Sequence, residues 1–342
     1  MKKNHPISYH FAKVMYELLY SDSKYIAPHD FKQVISEKND LFKKNKAADA
    51  TDLFRNLIDS FLGDFNSSNE DIKEDIKRDI SLNINELKRE IEKEIKNNII
   101  YKCINVYNLI IYVCPSTKHK NKIYNFESDS NITFNLENIL KSKKDQRSEI
   151  TLKECFEFSQ NKKTNNSFYC SECKEIVIGE SFEKLIFPPE ILIIILNRGK
   201  GKKVKNKVKI DEILDVYDFI YYSNNNNNIY YKLIGSCNHS GESSPKGHYT
   251  ACCLYEDGNF YYYNDNEFFS CKYYQCFGED PYILFYRRQY FKEENNSIKN
   301  IKIIINTNND SESISGIEMK KYENIFFQIY KNFNTIEIKI IL

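Results

Sequence analysis

The sequence predicts an α+β fold in which helices come first and a mostly antiparallel sheet follows. Three observations carry this prediction. Apolar residues recur at helical spacing through the first part of the chain, and runs rich in β-branched and aromatic residues dominate after residue 99. An Asp-Gly pair between two strand-like runs, at 257–258, is a typical hairpin signal. With 342 residues, of which 41% are hydrophobic, the chain is long enough to bury a sizeable core.

Three helices are predicted within residues 1–65. The first has an apolar stripe that begins at Phe11, and Pro28 opens the second. The third is expected at about 47–62, with five apolar residues on one face. These helices form the first layer of the predicted domain.

Residues 66–100 form a charged segment with an isoleucine- and leucine-rich stripe, which predicts one long amphipathic helix. We expect the stripe to be a packing face. The alternative is a coiled-coil partner site, but the mean spacing of the stripe exceeds 3.6 residues and fits a left-handed seam poorly.

The second part of the chain is predicted to form strands. The run at 191–196 is apolar at every position, so we expect a central strand that is buried on both faces. The other predicted strands are 109–113, 132–136, 185–187, 230–233, 249–255, 260–263 and 282–286.

Composition excludes several classes of function. The net charge is +1 and the pI is near 7.5, which favours neither nucleic acid nor a membrane as a partner. No apolar run is long enough to span a membrane, and the N-terminus lacks the pattern of a secretory signal. The ten cysteines are expected to be reduced thiols in a cytoplasmic or nuclear protein.

The segment around His248 carries the clearest catalytic pattern. His248 follows a glycine at the start of a strand, and Asn264 and Asp265 follow on the next strand. A histidine that accepts a thiol proton while an amide or carboxylate holds its ring is part of a Cys–His–Asn arrangement. The alternative is that His248 is structural, as a single histidine beside a strand often is.

The expected register opposes this pairing. A two-residue loop at Asp257–Gly258 pairs Asn264 with Ala251, three residues from His248. An odd separation puts Asn264 and His248 on opposite faces. A bulge or a loop of another length is therefore needed to bring them together.

An ordered series of motifs in this chain resembles the ubiquitin-specific protease family, over residues 8–288. The motifs are Pro28-x-x-Phe31, Asp49-Ala50-Thr51-Asp52-Leu53-Phe54, Leu152-x-x-Cys155-Phe156, Tyr169-Cys170-x-x-Cys173, Pro189-x-Ile191-Leu192, Tyr231-x-Leu233-x-Gly235, His239-Ser240-Gly241, Gly247-His248-Tyr249, Asn264-Asp265 and Tyr282-Ile283-Leu284-Phe285-Tyr286. The resemblance implies a papain-like fold with a helical thumb and with a palm and fingers of antiparallel sheet.

The resemblance also implies a function, a partner and roles for five residues. Members of the family are deubiquitinases that hydrolyse the bond after the C-terminal glycine of ubiquitin, by acyl transfer to a cysteine. His248 matches the general base, Asn264 the orienting residue and Asp265 an assisting polar residue. Asp49 and Asp52 match an acidic pair that meets the basic tail of ubiquitin; the alternative is that both only favour a helix N-terminus. The expected partners are ubiquitin and ubiquitinated proteins.

The family's first motif, Gly-Asn-x-Cys-Tyr, does not occur in this sequence. That motif supplies the nucleophilic cysteine, so we expect a domain that is N-terminally incomplete and inactive alone. The alternative is a catalytically inert scaffold that binds ubiquitin. The expected domain covers 1–290, with 66–100 as a charged helical insertion, and 291–342 is an extension of unknown role in which strands are predicted.

Part of the family's zinc site is present. Cys170 and Cys173 form one Cys-x-x-Cys pair, and Cys114 stands where a second pair begins, but the position three residues on is Thr117. Cys103 or His119 could substitute. Because structural zinc needs four ligands, the resemblance implies a degenerate site at Cys114, Cys170 and Cys173, with no cofactor required and zinc not expected to bind.

Overall fold

The computed structural model describes eleven stretches of the chain. These are 6–21, 26–43, 48–65, 84–97, 99–119, 122–161, 163–199, 204–221, 229–243, 246–277 and 280–290. The predicted C-terminal strands, the proposed extension 291–342 and the first half of the predicted long helix lie outside the described residues.

Helices dominate the first hundred described positions, as the apolar periodicity predicts. The described helices are α1 (Pro6–Tyr20), α2 (His29–Lys38), α3 (Ala50–Phe65), α4 (Ile84–Asn97), α5 (Ile99–Ile104), α6 (Leu136–Ser142) and α7 (Leu152–Gln160). Among these residues, no helix is both long enough and apolar enough to cross a membrane.

Strands make up most of the rest. The described strands are β1 (Val106–Val113), β2 (Lys122–Asp129), β3 (Ile132–Asn135), β4 (Ile150–Thr151), β5 (Lys163–Cys170), β6 (Glu175–Phe187), β7 (Ile191–Asn197), β8 (Val208–Lys209), β9 (Ile213–Asp215), β10 (Tyr230–Ser243), β11 (Lys246–Leu254), β12 (Phe260–Asn264), β13 (Glu267–Cys271) and β14 (Pro281–Gln289). The α+β prediction is confirmed.

The largest sheet, the palm sheet, has the strand order β13-β12-β11-β10-β14-β7-β3, with β9 beside β10. Its strands pair antiparallel except for β3 and β7. The six apolar residues of β7 are all buried, so the prediction of a central strand is confirmed. One face of the palm sheet packs against α6 and α7, and the other lies towards α3.

The second sheet, the finger sheet, has the order β2-β1-β6-β5. Helix α4 lays Leu87 and Ile91 against Tyr107, Leu109 and Ile111 of β1. The stripe is therefore a packing face over the described half of the predicted helix. Because β1 supplies both the surface for α4 and a central place in this sheet, its side chains are buried on both faces.

The hairpin that joins β11 to β12 differs from the expected one. Leu254 pairs with Phe260, and the N–H of Tyr255 donates to the carbonyl oxygen of Asn259 at 2.9 Å. Residues 256–258 therefore form a three-residue loop, and Gly258 takes the left-handed conformation (φ 79°) that such loops use. The prediction of a two-residue loop was wrong. Asp257 and Gly258 are the last two residues of the loop, and Glu256 is an additional first one.

Candidate active site and metal centre

The corrected register brings His248 and Asn264 together. Ala251 pairs with Tyr263, so position 264 lies opposite Thr250, which is two residues from His248. An even separation along a strand places side chains on the same face. Nε2 of His248 lies 2.6 Å from Oδ1 of Asn264. Because an amide oxygen only accepts, Nε2 carries the hydrogen and Nδ1 is left as an acceptor.

His248 and Asp265 are both open to solvent. Asp265 is exposed and has a left-handed backbone (φ 52°), which an Asp tolerates better than most residues. It occupies the turn between β12 and β13, where Asn264 pairs with Glu267. The side chain of His248 therefore contacts that of Asn264 directly, and Asp265 is the next residue in the chain.

Gly247 has a steric reason to be a glycine. A Cβ built there would lie 2.3 Å from Nε2 of His239 and 2.3 Å from the carbonyl oxygen of Ser240. His239 is buried and packs on the ring of Tyr249, with 4.6 Å between ring centroids. A larger side chain at 247 would push the two strands apart directly beside His248. The motif pattern contained His239 but gave no signal of this packing role.

Asp49 stands at the N-terminus of α3 and is held there by several donors. Its Oδ1 accepts hydrogen bonds from the backbone N–H and the hydroxyl of Thr51, both at 2.8 Å. The hydroxyl of Tyr282 donates to the same carboxylate at 2.9 Å. Asp49 is therefore the N-cap of α3 and also ties the helix to the palm sheet.

Asp52 is exposed in the first turn of the same helix. Its carboxylate is the more accessible of the two predicted substrate-binding groups. The alternative that such residues favour a helix N-terminus thus gains support at Asp49, and substrate binding remains a prediction for both.

An apolar cavity of about 200 Å³ lies between the first helices and the palm sheet. The helices contribute Phe11, Phe54 and Leu57, and the sheet contributes Ile193 and Phe285. Helix α3 borders this cavity, and His248 and Asn264 are not among the residues that line it.

Four cysteines are poorly placed or poorly activated to be the thiol that reacts with His248. Cys252 lies four residues along β11 from His248, a distance of about 13 Å in an extended strand. Burial raises the pKa of Cys103, Cys155 and Cys237 to about 12. Thiols with such a pKa are poor nucleophiles near neutral pH.

The finger sheet brings four metal-ligating side chains together, and they correct the three-ligand prediction. Cys114, His119, Cys170 and Cys173 place one ligand atom each within 4.8 Å of one another. Nε2 of His119 lies 3.1 Å from Sγ of Cys173 and 3.8 Å from Sγ of Cys114. His119, one of the two substitutes considered, completes the set, so the site is not degenerate in its ligands.

The local backbone explains this grouping. Cys114 follows the end of β1, and Cys170 and Cys173 lie at the tip of the hairpin between β5 and β6. Lys174 has a left-handed backbone (φ 58°), and its N–H donates to the carbonyl oxygen of Cys170 at 2.8 Å. That turn points both thiols the same way. Cys114 and Cys170 are buried, and Cys173 and His119 are partly exposed.

The donor set fits zinc. Three thiols and one imidazole are a common structural zinc set, and the 3.7 Å between the sulfurs of Cys114 and Cys173 suits tetrahedral coordination at about 2.3 Å per Zn–S bond. The pKa values of two of these thiols shift in opposite directions. Burial and the neighbouring thiols raise the pKa of Cys173 to about 11. At Cys170, hydrogen bonds from backbone N–H groups and from the thiols of Cys114 and Cys173 together outweigh burial and lower the pKa.

Comparison with known proteins places this arrangement in context. A family model described as ubiquitin carboxyl-terminal hydrolase matches residues 1–286. Ubiquitin carboxyl-terminal hydrolase 17-like protein B of Mus musculus is 30% identical over 127 residues, which cover 36% of this chain and 27% of the relative. Ubiquitin carboxyl-terminal hydrolase 25 of Arabidopsis thaliana is also 30% identical over 127 residues, covering 36% of this chain and 19% of that protein. The matched part is thus well under a third of each relative.

Solved structures share the fold. A chain in the structure of the SAGA DUB module Ubp8/Sgf11/Sus1/Sgf73 bound to monoubiquitin matches with a TM-score of 0.63 at 18% identity, covering 84% of this chain and 59% of that one. A chain in the same module bound to ubiquitin aldehyde matches with a TM-score of 0.59 at 17% identity, covering 77% and 54%. The predicted papain-like fold of ubiquitin-specific proteases is therefore confirmed.

Proposed function

The chain belongs to the ubiquitin carboxyl-terminal hydrolase family, and we propose that it is the general-base part of a thiol-dependent deubiquitinase. The contact of 2.6 Å between His248 and Asn264 carries this proposal. A scaffold that only binds ubiquitin needs no oriented, exposed imidazole near the start of β11, whereas a cysteine hydrolase needs one.

The tautomer of His248 suits the role of general base. With Nε2–H donated to Asn264, Nδ1 is free to accept a proton from a thiol placed on its other side. The thiolate then attacks the carbonyl carbon of the last glycine of ubiquitin, and the imidazolium gives its proton to the leaving amine. Water, deprotonated by the same imidazole, hydrolyses the thioester and frees the thiol.

We propose that the nucleophilic thiol comes from a segment that is not part of this sequence and that packs in the apolar cavity. The cavity is lined by Phe11, Phe54 and Leu57 on one side and by Ile193 and Phe285 on the other. Burying such a surface is favourable at roughly 25 cal/mol per Å², so an apolar helix would be held there. Its N-terminus would also lower the pKa of a cysteine at that end.

The acidic residues of α3 support the choice of substrate. Asp52 is an exposed carboxylate in the first turn, and charge-assisted hydrogen bonds to basic side chains are among the stronger ones. Asp49 holds the helix N-terminus in place through Thr51 and Tyr282. We propose that Asp52 contacts the basic tail of ubiquitin directly and that Asp49 positions it.

The cluster at the finger tips is proposed to hold a structural zinc ion. Zinc would bind Cys114, His119, Cys170 and Cys173 and so join the end of β1 to the hairpin between β5 and β6. It would stabilise the fingers and take no part in the hydrolysis. A cytoplasmic or nuclear location, where thiols stay reduced, remains a prediction.

The test measures ubiquitin binding and hydrolysis separately. The chain itself should bind ubiquitin in isothermal titration calorimetry and bind a tail-truncated ubiquitin more weakly. It should release no fluorophore from a ubiquitin C-terminal amide and form no adduct with a thiol-reactive ubiquitin. The chain extended at its N-terminus by a helical segment with the Gly-Asn-x-Cys-Tyr motif should hydrolyse the amide, and His248→Ala should abolish that activity.

Two results would contradict parts of the proposal. An extended protein that binds ubiquitin without any turnover would identify an inert scaffold. An adduct formed by the unextended chain and lost with His248→Ala would show that one of its own cysteines is the nucleophile.

A further inference from the structure

A second cysteine cluster lies in the palm sheet, away from the finger tips. Cys252 of β11, Cys271 at the end of β13 and Cys276 place their sulfurs within 4.8 Å of one another. The sulfur of Cys271 is 3.8 Å from that of Cys252 and 3.8 Å from that of Cys276. The sulfurs of Cys252 and Cys276 are in contact, and their Cα atoms are 5.3 Å apart, a separation that a disulfide can span.

The three thiols differ in access to solvent. Cys252 is 0% exposed and Cys276 is 1% exposed, within the main hydrophobic core. Cys271 is partly exposed and packs against the edge of that core. Cys271 is therefore the most accessible of the three thiols, and the other two are buried.

The segment that carries Cys276 is held in place by polar side chains of β10. The side-chain N–H of Asn238 donates to the carbonyl oxygen of Cys276 at 2.6 Å, and the hydroxyl of Ser236 approaches the same oxygen at 3.5 Å. Both side chains are buried. These contacts hold the backbone of Cys276 against β10, beside Cys252 and Cys271.

The donor set of this cluster differs from that at the finger tips. Within the described part of the chain, it consists of three cysteines with no histidine or carboxylate among them. Three sulfurs do not complete the tetrahedral set that structural zinc requires. A partly exposed thiol in contact with two buried sulfurs that are close enough to bond to each other is instead arranged for thiol–disulfide exchange.

We propose that Cys252, Cys271 and Cys276 form a redox site in which Cys271 is the entry thiol and the Cys252–Cys276 disulfide is the stable oxidised product. The co-substrate is a peroxide in the oxidising direction and a dithiol in the reducing direction. The site is independent of the proposed hydrolysis, because it uses neither His248 nor an added nucleophile.

Oxidation balances in three steps: oxidation of one thiol by peroxide, one condensation and one exchange. The Cys271 thiolate attacks one peroxide oxygen as the O–O bond breaks, giving a sulfenic acid and, after proton uptake, water. Cys276 attacks the sulfenic sulfur, the S–S bond forms, and hydroxide leaves with the thiol proton as a second water. Cys252 then attacks Cys276, forms the Cys252–Cys276 disulfide and releases the Cys271 thiolate. Overall, two thiols and one peroxide give one disulfide and two waters.

The bond affects the strands that carry the catalytic pair. Cys252 and Cys276 are separated by 24 residues, and the enclosed loop contains β12, β13 and Asn264. Closing that loop restricts the unfolded chain and thereby stabilises this part of the palm sheet. The oxidised protein should therefore hold the hairpin with Asn264 more firmly than the reduced protein.

The test follows each cysteine by mass spectrometry after differential alkylation. Zinc-loaded, fully reduced protein is exposed to hydrogen peroxide, and the Cys252–Cys276 peptide pair should accumulate. In Cys271→Ser that pair should form at least tenfold more slowly, and its reduction by dithiothreitol should slow to a similar extent. Cys155→Ser, which removes a buried thiol from α7, is the matched control and should behave as wild type.

A second variant keeps the proposal testable if Cys271→Ser folds poorly. Cys252→Ser removes the thiol that attacks in the last step and should trap the Cys271–Cys276 bond, which is the intermediate of the scheme. The proposal is overturned if Cys271→Ser oxidises at the wild-type rate or if Cys252→Ser yields no Cys271–Cys276 peptide. It is also overturned if the reduced cluster binds zinc stoichiometrically and resists peroxide.

Discussion

The palm site, which is His248 with Asn264, and the ligand cluster at the finger tips are assembled in two different ways. His248 and Asn264 are 16 residues apart and lie on the two strands of one hairpin. Cys114 and Cys173 are 59 residues apart, and His119 joins them from the loop after β1. The first site depends on the length of a single turn, and the second depends on the pairing of β1 with β6.

The two sites also differ in burial. His248 is exposed, as a group that must meet a substrate has to be, whereas Cys114 and Cys170 are buried. A catalytic pair on a hairpin can lose function with little loss of stability. A ligand set that joins separate strands should lose stability and metal together. The predictions below test that difference, from the largest expected effect to the smallest.

Removal of one finger ligand should have the largest effect. Purified wild-type protein should carry one zinc per chain by inductively coupled plasma mass spectrometry, and Cys170→Ser should carry almost none. Structural zinc contributes on the order of 10 kcal/mol to folding in small sites, so the finger sheet should also become sensitive to proteolysis. Cys155→Ser is the control, and zinc retained in Cys170→Ser would show that the four side chains do not form the site.

Loss of the imidazole should abolish activity without unfolding the palm sheet. In a protein that also contains the nucleophile segment, His248→Ala should reduce kcat by about 10²–10⁴-fold, the usual contribution of a general base. Its melting temperature should change by less than that of Cys170→Ser. A large loss of stability in His248→Ala would mean that the histidine is mainly structural.

The conformation of the loop at 256–258 should determine whether His248 and Asn264 are in contact. Gly258 has a φ of 79° and a Cβ there would meet nothing within 4 Å, so Gly258→Ala tests backbone strain alone. We expect a loss of about 1–2 kcal/mol of stability and a weaker His248–Asn264 contact in the histidine NMR spectrum. Zinc content should stay at the wild-type level, since the fingers do not depend on this hairpin.

Oxidation of the palm cysteines should depend on pH. Burial raises the pKa of Cys271 above that of an ordinary thiol, so only a small fraction is thiolate at neutral pH. The thiolate fraction of such a group rises about tenfold per pH unit below its pKa. The rate of peroxide-driven formation of the Cys252–Cys276 bond should therefore still be rising between pH 7 and pH 8. A rate that is flat over this range would argue against Cys271 as the entry thiol.

Substitutions at Asp49 and Asp52 should distinguish a structural role from a role in binding ubiquitin. Asp49→Ala removes the N-cap and should cost about 1 kcal/mol of stability in chemical denaturation. Asp52→Ala, the matched exposed change in the same turn, should leave stability nearly unchanged and weaken ubiquitin binding. Equal effects of the two changes on both measurements would contradict the division of roles.

The sequence by itself determined the order of helices and strands, the buried central strand β7 and the residue types of the catalytic pair. These features depend on local periodicity and on the chemistry of single side chains, and both can be read directly from the amino-acid sequence. It also identified the family, because ordered motifs persist when details change. The element order and the burial of 191–196 are confirmed, and so is the family. The catalytic role of His248 and Asn264 stays a prediction.

Only the tertiary structure decided which side chains meet. One extra residue in the loop at 256–258 moved Asn264 to the face of His248, because each one-residue shift reverses every side chain of a strand. His119 became the fourth ligand only when β1 and β6 paired, since its spacing from Cys114 does not match a Cys-x-x-Cys pattern. The cluster of Cys252, Cys271 and Cys276 likewise has no sequence signature, because strand pairing and a turn bring its sulfurs together.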